Sequence, residues 1–347
     1  MRPFYILLLL LTVIHKEGAH GQNNKHATLK SEHRISGLAD LGERMLDHLT
    51  FPTPKGIWAI YPAGGYSSRT GLEFGLMPVY SWGSPDSQPA NREVNTLTSS
   101  MQFSTKGMVE VRSELDWYLS SLWQFSGRIE ALRINDRYWD RWSQNKTAQP
   151  IDYRSSRYGL KTEILRHLGH QLHVGMSSEI WHYQFDNRNA HLAFEQLSGS
   201  EGGWLAGAGP VLLFDQRDHV LYPRSGSYFK AAWTLFQKGG PNANTYNNYL
   251  LDLRHFYGVG RTVLAFQSLW EYSDPGTPFF MLPQLGGKDR LRGIGHSKSV
   301  VDHSAWLLRG ELRVPVWWRF GAVVFSEVGQ SARQLRLSRK ELIAPMA

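Results

Sequence analysis

From about position 56 onward, apolar and polar side chains take alternate places along runs of roughly ten residues, as an extended strand with one greasy face requires. The clearest run is Val109 to Leu119. Val109, Val111, Leu115, Trp117 and Leu119 fall on one side; Glu110, Arg112, Glu114, Asp116 and Tyr118 fall on the other. The next run repeats the pattern, with Trp123, Phe125, Ile129 and Ala131 alternating with Gln124, Ser126, Arg128 and Glu130. A short serine-containing turn near Ser120 joins the two runs as a hairpin.

Similar runs cover 57–66, 70–82, 93–104, 150–166, 171–186, 203–216, 226–237, 246–257, 260–272, 304–316 and 319–330, about thirteen strands in all, separated by Gly, Pro, Asn, Asp and Ser. Ten residues is the length a tilted strand needs to cross a bilayer. A soluble sandwich also alternates, but its apolar face is a core, and Trp is an awkward residue to repeat there. Aromatics recurring near strand ends suit the two interfaces of a membrane. No repeat of 20 to 50 residues points to a propeller or solenoid. The pattern therefore predicts an all-β fold, a transmembrane antiparallel up-and-down β-barrel. It should be closed, because each unpaired backbone group facing lipid costs several kcal/mol.

The exception to the alternation is the N-terminus. Arg2 precedes an apolar stretch from Phe4 to Ile14, then a polar segment and Ala19-His20-Gly21. This has the form of a secretory signal peptide over residues 1–21, too short in its apolar core for the ~20 residues of a spanning helix. Residues 22–55 form a lead-in with one helical candidate, Leu38, Leu41, Met45 and Leu49, which either rests on the periplasmic side or plugs a pore. Pro52 and Pro54 end it. The barrel domain then spans 56–330, and 331–347 is a basic tail without alternation. An exported barrel belongs in the outer membrane of a Gram-negative cell.

Composition narrows the chemistry. The 347 residues include no Cys, which removes disulfides, thiolate metal sites, a cysteine nucleophile and a lipidated cysteine. The net charge of +8 is spread among acidic residues without a basic block, so nucleic acid is not an expected partner. His167, His170 and His173 lie near a turn at three-residue intervals, which sends neighbours to opposite strand faces and disfavours a metal site, so turn and interface roles are expected of them. There is no GxSxG, no HExxH and no phosphate-binding glycine loop, and Gly258-Val259-Gly260 fits a hairpin turn. No catalytic residue, cofactor or metal is expected.

Three segments between 215 and 329 are more specific. Asp215-Gln216-Arg217-Asp218, with Pro223-Arg224-Ser225-Gly226, forms a charged hairpin whose Pro and Gly fix a turn. Leu285-Gly286-Gly287-Lys288-Asp289-Arg290-Leu291-Arg292-Gly293-Ile294 follows, then Glu311-Leu312-Arg313-Val314-Pro315 and Phe325-Ser326-Glu327-Val328-Gly329. Together with Tyr66-Ser67-Ser68-Arg69-Thr70-Gly71, these resemble the bacterial surface antigen family, the barrel domain of BamA/TamA-type outer-membrane assembly and translocation proteins. The resemblance implies a sixteen-stranded barrel with a long extracellular loop folded back into its lumen. The loop's Arg-Gly-aromatic tip would be Arg292-Gly293-Ile294, with Ile294 standing where the family has Phe or Tyr. Alternation turns Glu311, Phe325, Glu327 and Gly329 inward, where both carboxylates can meet Arg292. The bland reading is a surface turn with Arg292 in solvent.

The resemblance implies a role in outer-membrane protein or lipid handling. The lead-in is too short for a periplasmic POTRA domain, and the likeness ends after about thirteen strands. The expectation is a C-terminally truncated or misframed chain, or one that pairs with a second copy to close. Expected partners are outer-membrane lipid, lipopolysaccharide and other outer-membrane proteins. A passive porin-like channel, tuned by Glu110, Arg112, Glu114 and Arg128, is the rival reading.

Overall fold

The computed structural model describes residues 49–67, 69–83, 94–138, 151–186, 192–220, 222–240, 243–287, 290–294, 300–317 and 320–332. The expected signal peptide, most of the lead-in with its helical candidate, and the tail beyond Ala332 lie outside these residues. No described helix is long and apolar enough to cross a membrane.

Among the described residues, fourteen strands build one sheet in which every neighbour is antiparallel and sequential. They are β1 (Thr50–Thr53), β2 (Gly56–Ser67), β3 (Gly71–Gly83), β4 (Val94–Ser104), β5 (Val109–Tyr118), β6 (Trp123–Tyr138), β7 (Ile151–Gly169), β8 (Leu172–Asp186), β9 (Gly203–Asp215), β10 (Gly226–Lys238), β11 (Asn244–Val259), β12 (Thr262–Ser273), β15 (Ser304–Trp317) and β16 (Phe320–Ala332). The two remaining strands, β13 (Gln284–Leu285) and β14 (Val300–Val301), pair with each other inside the loop between β12 and β15. All thirteen expected strands are present. β1 precedes them and adds to the sheet within the expected lead-in. Pro52 does not prevent this, because an edge strand tolerates a residue without an N–H.

Alternation decides which side of the sheet is greasy. Val111 pairs with Ala131 and Trp117 with Phe125, and the large apolar residues of that face, such as Leu76, Val111, Ile129 and Phe266, are exposed. Exposed Ile and Phe in such numbers make sense only against hydrocarbon. The opposite face carries the charges and, among the described residues, encloses three apolar clusters. One joins Leu269, Ala305 and Leu307 of the wall to Leu285 and Leu291 of the long loop. The other two are mainly aromatic and gather Tyr153, Tyr183 and Phe185 of β7 and β8, Phe194 of a short helix α1 (Leu192–Glu195), and Phe279 and Phe280 of the long loop.

The long loop thus touches β7 and β8 and also β15 and β16 on one face, so the sheet curls around it as a barrel. Contacts across the lumen agree: Lys230 of β10 bonds Glu163 of β7 at 2.7 Å, and Arg69, in the turn after β2, pairs with Asp136 of β6. No described residues of β1 or β2 pair with β16, so the ladder is not closed among the described residues. Connections at one rim include the long segments after β6, β8 and β12, whereas the other rim has the tight turns after β5, β7 and β11. Outer-membrane barrels keep their longer loops outside, which orients the molecule.

Candidate functional site: a loop held in the lumen

β15 and β16 place the wall half of this site. Their register pairs Arg309 with Glu327 and Glu311 with Phe325, all on the inner face, because these positions share the parity opposite to exposed Leu308 and Leu312. Arg292 arrives from the long loop. Its Nη2 donates to Glu311 Oε1 at 2.7 Å and its Nε to Glu327 Oε1 at 2.8 Å. Its own backbone N–H donates to Glu327 Oε2 at 2.7 Å. The guanidinium carbon lies 3.7 Å from the centre of the Phe325 ring, so the cation is held by two carboxylates at its edge and a π-face beneath it.

Two wall arginines complete the arrangement. Arg309 Nε donates to Glu327 Oε1 at 2.6 Å, and Arg313 Nη2 donates to Glu311 Oε2 at 2.9 Å. Three guanidinium groups therefore surround two carboxylates, leaving one positive charge in excess. The Glu327 side chain is only 1% exposed, so its ion pairs are poorly screened. Arg309 also donates to the Arg290 carbonyl, and Arg290 Nη2 reaches Glu271 Oε1 of β12 at 2.6 Å.

Packing around the ion pairs fixes the loop's depth. Leu291 is fully buried against Leu269, Leu285, Ala305 and Leu307, and Ile294 packs on the same cluster. Ile294 thus takes an aliphatic contact, and the aromatic partner of Arg292 comes from the wall as Phe325. Gly293 is exposed between them. A Cβ at Gly329 would meet the Trp306 carbonyl oxygen at 2.7 Å, with the Leu291 and Leu285 methyl carbons at 3.4 and 3.5 Å beyond it. Its missing side chain is the space the loop leucines occupy.

The charged hairpin lies at the opposite rim and closes on itself. Arg217 grips Asp215 through Nε at 2.9 Å and Nη2 at 2.7 Å, and its guanidinium covers the Tyr228 ring at 4.6 Å. Asp218 accepts backbone N–H bonds from Arg224 at 2.8 Å and Ser225 at 3.1 Å. Slight burial raises its pKa, but these N–H donors outweigh burial and hold the carboxyl below its usual range. Gly226 has φ of +101°, and a Cβ there would come 2.1 Å from the Gln216 carbonyl oxygen. Pro223 turns its carbonyl toward Arg313, 3.5 Å away, so this hairpin and the Arg292 cluster meet through one side chain.

The remaining lumen charges pair locally. Glu130, 3% exposed, binds Arg157 at 2.7 Å and Arg112 at 3.1 Å, Arg112 also pairs with Glu110, and Arg128 pairs with Glu114 at 2.7 Å. His167, His170 and His173 lie about the tight turn between β7 and β8. The tight turn at His170 and Gln171, both with positive φ, brings His167 and His173 opposite each other in register with ring nitrogens 3.2 Å apart. Among the described residues no three metal-ligating side chains gather.

The sequence model of the Omp85 superfamily domain matches residues 90–336, which include the charged hairpin, the loop and both carboxylate-bearing strands. The chain belongs to the Omp85 superfamily. Omp85 barrels are outer-membrane proteins, which accounts for the greasy outer wall. Among solved structures, BamA from Haemophilus ducreyi lacking POTRA domains 1–3 is similar with a TM-score of 0.53 and 14% identity, over 89% of this chain and 67% of that one. CdiB from Acinetobacter baumannii gives a TM-score of 0.48 and 8% identity, over 84% of this chain and 52% of that one. No curated protein matches the sequence.

Sequence reasoning missed two parts of this Omp85 lumen. The Arg290 contact with Glu271 joins loop to wall without a motif of its own. Phe279-Phe280-Met281 forms a 3-10 turn that docks on Tyr153, Tyr183 and Phe185. A three-residue apolar run inside an otherwise irregular loop was the available signal.

Proposed function

We propose that this Omp85 chain acts in the assembly or translocation of other proteins at the outer membrane, with lipid handling as part of the same work. The observation that carries the reading is the loop inside the lumen, held by Arg292 between Glu311 and Glu327. Such a loop occupies space that a passive channel would leave to water. It also ties β12, β15 and β16 to one element through Arg290 and Arg292. The reading assigns no catalytic residue: the arginines and carboxylates of the lumen hold position, and the work lies in presenting a wall to a folding client and the lipid around it.

The test is insertion of an unfolded outer-membrane protein into liposomes carrying the purified chain, followed by the client's protease resistance. Faster insertion than in empty liposomes, reduced by Arg292→Glu, supports the reading. Steady conductance in planar bilayers with no effect on client insertion would replace it with the porin reading.

A further inference from the structure

The outer wall changes character at one place. On β6, β7 and β8 the strands run to 16, 19 and 15 residues and continue past the apolar band at the long-loop rim. Arg133 shares the outward parity of exposed Ile129 and pairs with Ser156; Arg154 shares the outward parity of exposed Tyr158 and pairs with Asn135. Both arginines therefore point to the surroundings of the barrel and not to the lumen. They are diagonal neighbours across β6 and β7, a spacing of roughly 7–8 Å.

Their height follows from the strand. Arg133 lies ten residues beyond Trp123, which begins β6 at the other rim. At about 3.3 Å per residue and a tilt of about 40°, that is roughly 25 Å across the membrane, the height of the apolar band itself. Arg133 thus stands at headgroup level in the outer leaflet. One row deeper, Tyr158, His182 and Trp204 form an outward aromatic group with centroids 4.9 to 5.8 Å apart, as an interface requires.

Local acids leave one of these cations available. Arg137 is engaged by Asp152 through bonds of 2.5 and 3.0 Å. Arg154 uses Nε to bond the Asn135 side chain at 3.2 Å, which orients its terminal nitrogens, and exposed Asp186 stands across from it in register without forming an ion pair. Arg133 is exposed and has no hydrogen-bond or ion-pair partner among the described residues. A free guanidinium beside an oriented one, above aromatic rings and facing lipid, matches a phosphate on a sugar-based headgroup.

We infer that Arg133 and Arg154 bind the phosphate of a phosphorylated glycolipid in the outer leaflet, with the Tyr158, His182 and Trp204 rings against the base of its headgroup. This rests on the outer-membrane placement of the wall and is independent of any role in assembly. The test uses the detergent-solubilised full chain incubated with a bisphosphorylated hexa-acyl glycolipid, its dephosphorylated form, phosphatidylglycerol or phosphatidylethanolamine, and counts retained lipid by native mass spectrometry. The natural chain should retain the bisphosphorylated glycolipid at least about tenfold better than the Arg133→Glu, Arg154→Glu double variant, at about fivefold per basic residue near a charged surface. Arg166→Glu, an outward change at the opposite rim, should leave retention unchanged, and dephosphorylation should reduce it to the double variant's level. Equal retention by the double variant, or equal retention of phosphatidylglycerol, overturns the inference. Should the double variant fail to fold, Arg133→Gln alone, on a side chain without partners, makes the same comparison at about fivefold. Recovery of the chain as a folded monomer without detergent would instead overturn the membrane placement itself.

Discussion

At the scale of single residues, partner counts decide what each charge is worth. Arg292 is shared between two carboxylates, yet Glu327 retains Arg309 and Glu311 retains Arg313 if it is lost. Truncation at Arg292→Ala should therefore cost about 1–3 kcal/mol, the loss of charged hydrogen bonds without an orphaned acid. Arg292→Glu sets a third negative charge beside the Glu327 carboxylate, which is nearly closed to solvent, and should cost about 3–5 kcal/mol. The shift of the folded band on heating before electrophoresis reads both, with the reversal unfolding at a lower temperature than the truncation. Equal behaviour of the two variants would show that Arg292 contributes packing and no charge. Glu130 provides the complementary case, a buried acid serving two half-exposed arginines. Glu130→Ala should destabilise by about 1–3 kcal/mol. Arg128→Ala, which removes an exposed partner of Glu114, should cost about 0–1 kcal/mol. Denaturant midpoints of the two variants in the same detergent check the ranking.

At the scale of elements, the long loop depends on a space as much as on a charge. Gly329→Leu would fill the volume that Leu285 and Leu291 occupy and would also press its Cβ on the Trp306 carbonyl of β15, so the loop should leave the wall and the ladder of β15 and β16 should be strained beside Gly329. External protease should then cut between Met281 and Val300 in the variant and not in the natural chain. Unchanged protection would mean that the ion pairs alone hold the loop. The strands themselves were legible in the sequence, because a two-residue period with lipid outside and charge inside leaves little freedom for Val109 to Leu119 or for Ser304 to Val316. The inward parity of Glu311 and Glu327 was legible for the same reason. The contents of the loop were not. Phe279 and Phe280 dock on Tyr153 and Phe185, more than ninety positions earlier in the chain, and no period along the sequence encodes a partner at that distance. His167 and His173 were placed near a turn, but only the register shows that the turn sets their rings side by side.

At the scale of the whole molecule, the fold is one sheet bent around its own loop, greasy outside and ionic within. That division was readable from alternation, while curvature was not, since it is visible only in contacts such as Lys230 with Glu163 across the lumen. Arg292 also has a bearing on how this sheet is completed. Its two acids belong to different strands, and they converge only when Arg309 lies opposite Glu327. A slip of β16 by one residue would turn Glu327 out to hydrocarbon, and a slip by two would carry it about 7 Å along the wall, beyond the reach of the loop. The loop can dock only on a correctly aligned β16, so its docking is the last check in forming this part of the wall, and a misaligned chain is marked by a loop left outside.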